Sequence, residues 1–315
     1  MNGQAANGGA RHVPVMPAEV LDALAPAAGQ TVVDATVGAG GHGVLLAERL
    51  GPGGRLIGLD QDAAMLDRAR PRLEALRNAA PFTLVQANFD RLREVLNELG
   101  VAQVDGVLAD LGVCSDQLDA PERGFSFQEE GPLDMRLDPE AGEPASALLR
   151  RLSERDLADL FWRYGEERFS RRIARKIVAT RRREPLKTTG QLARLVRSCV
   201  PRPRGWRPGI DPATHVFQAL RIAVNDEMGA LDRLLADLPR CVRPGGRAAV
   251  ISFHSLEDRR VKRAFRVKEV WEALTRKPVQ AGEDETRRNP RARGAKLRAA
   301  RRQRTGGTIQ EDDRN

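Results

Sequence analysis

The sequence has few of the residues that build membrane spans, disulfide frameworks or metal sites. No run of about 18 apolar residues occurs in it, so no membrane span is expected. Its three cysteines, Cys114, Cys199 and Cys241, are far apart, and it has four histidines. An odd number of dispersed cysteines indicates reduced thiols in a cytoplasmic protein without a bound metal. The first ten residues lack the basic start and apolar stretch of a secretory signal.

Aromatic residues are also scarce, at 4% of the chain with one tyrosine and three tryptophans. Extended base stacking is therefore not expected to dominate any recognition of nucleic acid. Acidic residues are outnumbered by basic ones, and the net charge of +9 is carried mostly by arginine. Arginine suits the recognition of phosphates and bases, although a GC-rich genome also favours arginine codons.

Apolar runs that end in polar residues alternate with helical patterns over the first 115 residues. Four strands are predicted at TVVDAT (31–36), GRLIGLDQD (54–62), FTLVQANFD (82–90) and VDGVLADLGVCS (104–115). The segments between them predict helices, of which 63–76 is expected to break at Pro71. Strands that alternate with helices are typical of an α/β fold with a parallel sheet covered on both faces.

The alternation stops after Leu108, and the next strong strand is GRAAVISFHS (246–255). Residues 215–242 predict the missing crossover helix, so 122–212 is expected to be an inserted, all-helical domain. Ser153 with Asp156, and Thr189, mark starts of its helices. The predicted organisation is a disordered lead (1–11), a core (12–121 and 213–304), the insertion (122–212) and a disordered tail (305–315).

Arginine is dense in two regions, and each has two interpretations. The insertion carries Arg171-Arg172, Arg175-Lys176 and Arg181–Arg183, which form either a solvated helix face or one wall of a nucleic-acid cleft. The segment RRNPRARGAKLRAARRQR (287–304) is either a solvated tail or a nucleic-acid contact.

The stretch VVDATVGAGGHG (32–43) contains G-x-G-x-x-G from Gly38, a pattern typical of dinucleotide-binding turns. In a nicotinamide site the strand runs directly into the first glycine, whereas three residues separate Asp34 from Gly38 in this chain. An acid at the strand tip before a glycine turn is the layout of S-adenosylmethionine methyltransferases. The carboxylate offers a countercharge to that cofactor's ammonium and sulfonium groups.

Four further residues are candidates for this site. Asp60 ends the second strand and suits ribose hydroxyls in either cofactor, while Phe89 either packs on the adenine or is a core aromatic. Asp110 follows the fourth strand, beside the point where strand order is expected to reverse. It faces the cofactor's methyl group or caps a turn, and Gln117 is close enough in sequence to reach back to the cofactor.

Long runs of the chain resemble the bacterial cytosine-N4 methyltransferases of small-subunit ribosomal RNA, over about residues 12–304. These runs are DATVGAGGH (34–42), DLGVCSDQLD (110–119), ERGFSF and GPLDMRLDP (within 122–139), YGEERFSRRIARKIV (164–178), FQALRIAVNDE (217–227), ISFHSLEDRRVK (251–262) and NPRARGAKLRAA (289–300). Two places depart from the family pattern. Cys114 replaces a serine, and the run from Asp211 to Val216 places His215 where the family has arginine, which puts a substrate contact in doubt.

The resemblance implies a Rossmann-like class I methyltransferase core with an inserted small helical domain. It also implies methylation of the exocyclic N4 amine of one cytidine in the decoding region of 16S rRNA, in the cytoplasm. The residues that it assigns to S-adenosylmethionine are Gly40, Gly41, His42, Asp60, Phe89, Asp110 and Gln117.

Asp110 is the candidate catalytic residue, because a carboxylate that accepts an N–H of the amine stabilises the charge that develops on nitrogen. A nearby backbone carbonyl is the alternative. The Pro-Pro-aromatic loop of DNA amino-methyltransferases is absent from the sequence, which disfavours that class. His254 and Ser255 either contact the base or are satisfied by the backbone. Two further functions remain open: a nicotinamide-dependent oxidoreductase, and a non-catalytic RNA-binding assembly factor.

Overall fold

The computed structural model describes residues 14–201 and 211–304, which form two compact units. The sheet unit comprises 14–60, 64–112 and 232–304, and the helical unit comprises 61–63, 113–201 and 211–231. The predicted lead (1–11), the predicted tail (305–315) and residues 202–210 of the predicted insertion lie outside the described residues.

Strands and helices alternate over the first part of the chain, and helices dominate its middle. The strands are β1 (Thr31–Asp34), β2 (Arg55–Asp60), β3 (Phe82–Gln86), β4 (Val104–Asp110), β5 (Val242–Ser252), β6 (Trp271–Ala273) and β7 (Lys296–Arg302). The helices are α1 (Pro17–Leu24), α2 (Gly41–Leu50), α3 (Ala63–Glu74), α4 (Leu92–Glu98), α5 (Ser115–Leu118), α6 (Ala145–Arg151), α7 (Glu154–Gly165), α8 (Ser170–Arg181), α9 (Thr189–Cys199), α10 (Pro212–Val224), α11 (Glu227–Cys241), α12 (Ser255–Ala264) and α13 (Glu283–Arg288). None of these helices is both long and apolar enough to cross a bilayer.

The sheet has the strand order β3-β2-β1-β4-β5-β7-β6 within the described chain. In this order the first five strands, β3-β2-β1-β4-β5, pair in parallel with their neighbours. Strand β7 pairs antiparallel with both β5 and β6. The predicted α/β fold with a parallel-rich sheet is confirmed. Chain order reverses between β1 and β4, which is where open α/β sheets bind ligands.

The helical unit has its own apolar core. In three of its helices the buried residues recur at positions i, i+1 and i+4, which puts one stripe of each helix into that core. These are Leu157, Ala158 and Phe161 in α7; Ile173, Ala174 and Ile177 in α8; and Leu192, Ala193 and Val196 in α9.

The described residues of the helical unit are 61–63, 113–201 and 211–231, and the predicted insertion is 122–212. The predicted crossover helix is two helices, α10 and α11. The two helices separate at Asn225 and Asp226. The side-chain amide of Asn225 donates to Met135 O (2.8 Å) and accepts from Leu137 N (2.8 Å). Asp226 has the positive φ of 46°.

Three local predictions were wrong. Helix α3 continues through Pro71, which is exposed and removes one hydrogen bond without ending the helix. The N-cap of α9 is Thr188, whose hydroxyl accepts from Gln191 N (3.3 Å), and Thr189 is buried. Residues 296–302 are the strand β7 with three buried apolar side chains, rather than a solvated tail, and the nucleic-acid contact of 287–304 stays a prediction. The four basic residues of this segment, Lys296, Arg298, Arg301 and Arg302, concealed that strand in the sequence.

Candidate active site

Three carboxylates end three neighbouring strands at one edge of the sheet. Asp34 ends β1, Asp60 ends β2 and Asp110 ends β4. The strands are parallel, so their carboxyl ends share this edge, at the point where strand order reverses. The predicted grouping of these acids therefore follows from the topology.

The glycine turn after β1 is tied to both neighbouring strands. Ala35 N donates to Leu108 O of β4 (2.8 Å), and Val37 N donates to Leu59 O of β2 (2.8 Å). These two hydrogen bonds hold the turn against the ends of the strands that supply the other carboxylates.

Two glycines of the turn adopt backbone conformations that favour glycine. Gly38 has φ 51°, and its N–H donates to Asp60 Oδ2 (2.9 Å). Gly40 has φ 82°, and a Cβ there would lie 3.2 Å from Cα of Ala69 in α3. Gly41 then begins α2. A side chain at Gly40 would both strain the backbone and displace α3.

A charged cluster, which we call the strand-edge cluster, consists of the buried Asp34 and His42 and the half-buried Asp110. Asp34 is 1% exposed and His42 is 6% exposed. The Nε2 of His42 lies 3.6 Å from Asp110 Oδ2, an ion-pair distance. Three buried atoms, Asp34 Oδ2, His42 Nε2 and Asp110 Oδ1, have no hydrogen-bond partner among the described residues. Buried polar atoms are usually paired in proteins, so this concentration indicates a ligand site.

The electrostatics of the cluster follow from its burial. Burial raises the pKa of Asp34 to about 7, although the charge of His42 acts to lower this pKa. Burial also disfavours the charged form of His42, but Asp110 and Asp34 outweigh it and raise the pKa of the imidazole. A cation bound at this edge would stabilise both carboxylates, so the cluster fits a positively charged ligand.

Sequence reasoning missed two residues that hold this site in place. The hydroxyl of Thr36 accepts from Asp110 N (2.7 Å), which ties the end of β4 to the turn. The guanidinium of Arg72 donates to Ala39 O (2.7 Å). The threonine has a signal in the sequence, since it stands between the acid and the glycines, but the arginine has none.

The remaining predicted residues lie in different surroundings. Phe89 begins a short 3-10 turn after β3 and is half-buried, so it is not a core aromatic. His254 is the N-cap of α12: its Nδ1 accepts from Glu257 N (3.4 Å), and its Nε2 lies 3.1 Å from Glu257 Oε1. Ser255 is the first residue of α12.

Gln117 lies in the helical unit, where it belongs to a second buried cluster, which we call the Asp62 cluster. Its amide donates to Asp62 Oδ2 (2.8 Å) and accepts from Cys114 N (3.0 Å). Arg123 donates to the same Asp62 oxygen (2.6 Å) and to the carbonyls of two residues, Arg136 (3.1 Å) and Leu137 (2.9 Å). Asp62 and Gln117 are 1% and 4% exposed. The polar groups of this cluster are thus engaged within the unit.

The departures from the family pattern are also engaged within the helical unit. Asp211 caps α10 by accepting from Ala213 N (2.9 Å), and it forms an ion pair with Arg197 (2.9 Å). His215 Nδ1 lies 2.9 Å from Gly165 O. The histidine therefore has a structural partner in α7.

Comparison with known proteins identifies relatives along the whole described chain. The model of the MraW methylase family matches residues 9–303. A protein of Sorangium cellulosum named ribosomal RNA small subunit methyltransferase H is 55% identical, over 93% of this chain and 91% of its own. Proteins of the same name from Deinococcus deserti and Acidobacterium capsulatum are 50% and 49% identical, each over 92% of this chain and over 93% and 98% of their own.

Proposed function

The chain belongs to the MraW methylase family, and from that premise we propose that it transfers a methyl group from S-adenosylmethionine to the exocyclic N4 amine of one cytidine in the decoding region of 16S rRNA. The names of its relatives support the substrate class, since they are methyltransferases of small-subunit ribosomal RNA. In this proposal the enzyme acts in the cytoplasm on the small ribosomal subunit or its RNA.

The observation that carries the proposal is the strand-edge cluster. A sulfonium or ammonium group supplies the positive charge that its unpartnered carboxylate oxygens lack. The residues of the sheet unit proposed to hold the cofactor are Gly40, Gly41, His42, Asp60, Phe89 and Asp110. Asp60 is proposed for the ribose hydroxyls and half-buried Phe89 for the adenine. The contact from Gln117 stays a prediction of the resemblance.

Asp110 is the proposed catalytic residue. When bound, S-adenosylmethionine supplies an electrophilic methyl group on its sulfonium. The cytosine amine is a weak nucleophile, because its lone pair is delocalised into the ring. Asp110 accepts one N–H of that amine, which favours a pyramidal nitrogen and stabilises its developing positive charge. The hydrogen bond from Asp110 N to the Thr36 hydroxyl fixes the backbone of Asp110 and so helps to position its carboxylate for this role.

The alternatives fit the site less well. A nicotinamide cofactor would bring a pyrophosphate to an edge that carries three strand-terminal acids, and like charges repel. A non-catalytic assembly factor would have no use for unpartnered buried carboxylate oxygens, which are costly to maintain without a ligand.

Methyl transfer to small ribosomal subunits tests the proposal. The protein is incubated with methyl-labelled S-adenosylmethionine and subunits from a strain that lacks the enzyme, and mass spectrometry maps the label. We expect one labelled cytidine with the methyl on N4, and no incorporation into subunits from the parent strain. Free 16S rRNA in a parallel reaction distinguishes RNA from the assembled subunit as substrate. Absence of label, or label on another atom, contradicts the proposal.

A further inference from the structure

The largest exposed apolar side chain of the helical unit is an aromatic one. Trp162 in α7 is 61% exposed, while the stripe formed by Leu157, Ala158 and Phe161 packs into the core. Within the described ranges it is the single exposed aromatic residue. An exposed aromatic ring of this kind can serve as a platform on which a base stacks.

Arginines surround the same end of the α7–α8 hairpin. Arg163 follows Trp162 in the last turn of α7, Arg168 lies in the connection, and Arg171 and Arg172 lie in the first turn of α8. All four are exposed, and among the described residues none of them forms an ion pair. We call Trp162 and these four arginines the hairpin surface.

The four arginines of the hairpin surface outnumber the exposed acidic residues beside it, which are Asp159 and Glu166. The connection carries Glu166 and Glu167, of which Glu167 is buried and accepts from Phe169 N (2.7 Å). Helix α8 has five basic residues and no acidic one. Arg171 and Arg172 also stand at the helix end where the macrodipole favours negative charge, so their positions weaken rather than stabilise the helix. An external anion would reverse that effect.

We infer that the hairpin surface binds a single-stranded segment of the substrate RNA, with one base stacked on Trp162 and the flanking phosphates on the four arginines. The inference rests on the proposed function for the identity of the RNA. An exposed indole beside arginines that form no ion pair within residues 14–201 and 211–304 combines the two features that single-stranded nucleic-acid sites share, a stacking platform and backbone-directed positive charge. A protein partner would be expected to cover apolar neighbours as well, whereas Arg155 and Asp159 flank Trp162 on its helix face and pair with each other (3.9 Å).

Fluorescence titration with an unstructured oligocytidylate of about ten nucleotides tests the inference on the full chain. We expect the oligonucleotide to quench the tryptophan fluorescence of the wild type. This quenching should disappear in Trp162→Phe, which keeps an aromatic ring but has no indole at this position. Trp162→Ala should weaken oligonucleotide affinity by about tenfold, the range of one lost stacking contact, and Trp162→Phe by less. The ring is exposed, so both variants should melt at the wild-type temperature.

A charge-matched pair of variants tests the arginines. Arg171→Ala/Arg172→Ala should weaken binding and flatten its salt dependence. Arg150→Ala/Arg151→Ala removes the same charge from exposed positions on α6 and should change binding less. Equal losses of oligonucleotide affinity in the two double variants would show that the arginines attract RNA non-specifically, and this result would overturn the inference.

The outcome is separable from that of the proposed function. Methyl transfer by the wild type with unchanged oligonucleotide affinity in Trp162→Ala refutes the hairpin surface and leaves the function intact. Quenching by RNA without methyl transfer refutes the function alone. Loss of binding to assembled subunits in Trp162→Ala, without any effect on RNA, assigns the surface to a protein and also overturns the inference.

Discussion

Two charged clusters of this chain differ in how their polar atoms are satisfied. In the Asp62 cluster one carboxylate oxygen accepts from both Gln117 and Arg123, and Arg123 also donates to two backbone carbonyls. In the strand-edge cluster three buried atoms lack a hydrogen-bond partner among the described residues, and the His42–Asp110 distance is 3.6 Å.

The difference separates a structural role from a ligand-binding one. A buried ion pair with satisfied hydrogen bonds positions the segments that carry it, and removing one partner leaves an uncompensated charge. A buried carboxylate without a partner is destabilising by itself and becomes favourable when a cation arrives. We therefore expect substitutions in the Asp62 cluster to change stability first, and substitutions in the strand-edge cluster to change binding and catalysis first.

Arg123→Met should produce the largest effect on folding. It leaves the buried carboxylate of Asp62 without its cationic partner, which costs about 3–5 kcal/mol of unfolding free energy. Denaturant unfolding followed by circular dichroism measures the loss. Arg155→Met is the control, because Arg155 is 90% exposed and its ion pair with Asp159 spans 3.9 Å. The double variant Asp62→Asn/Arg123→Met should recover part of the stability, since no buried charge remains. Equal stability of Arg123→Met and the wild type would show that the Asp62 cluster does not hold the helical unit together.

Asp110→Asn should produce the largest effect on catalysis. If the carboxylate stabilises the developing charge on the amine, kcat falls by about 10²–10³-fold while the protein still folds. Asp105→Asn is the matched control at the other end of β4, where Asp105 accepts from Thr31 N (2.8 Å) and pairs with Arg243. That control should lower stability and preserve kcat in single-turnover methyl transfer. A normal rate for Asp110→Asn would assign the role to a backbone carbonyl instead.

Periodicity and strand-tip residues predicted the parts of the molecule that depend on local sequence. Each of β1, β2 and β4 is an apolar run that ends in an acid, and parallel pairing brings such ends together, so the grouping of Asp34, Asp60 and Asp110 could be predicted. Ser153 was correctly placed as an N-cap because its hydroxyl accepts from Asp156 N, a contact within one helical turn.

Contacts between distant segments could not be predicted from the sequence. Arg298 has the charge of a surface residue, yet it is 6% exposed, because Asp258 of α12 pairs with it at 2.6 Å. Likewise, Asp62 and Arg123 are separated by 61 residues, and neither one has a local signal that identifies the other as its partner. Local patterns determine which segments form, whereas such pairs depend on the tertiary arrangement.

Cofactor affinity should depend on pH through Asp34, by a small factor within any one pH unit. The pKa of Asp34 is about 7 in the folded protein against an ordinary value of 3.8, so below pH 7 the carboxyl keeps its proton. A cationic cofactor favours the carboxylate, so its binding should release a proton and tighten by at most about tenfold per pH unit up to pH 7. Above that pH the affinity should level off. His42 acts in the same direction, because loss of its proton removes a positive charge beside the cofactor.

Isothermal titration calorimetry with S-adenosylmethionine, in buffers of different ionisation enthalpy, measures this proton release directly. Asp34→Asn should bind more weakly and release fewer protons, and His42→Gln separates the contribution of the imidazole. Without cofactor, wild-type stability should decline between pH 4 and 7, because the unfolded chain loses the Asp34 proton first, and Asp34→Asn should lack that decline. An affinity that stays constant across this range in the wild type would mean that Asp34 does not face the cofactor's charge. Asp34 would then have a role only in the conformation of the glycine turn. The evidence that the strand-edge cluster binds a ligand would come from Asp110 and His42 alone.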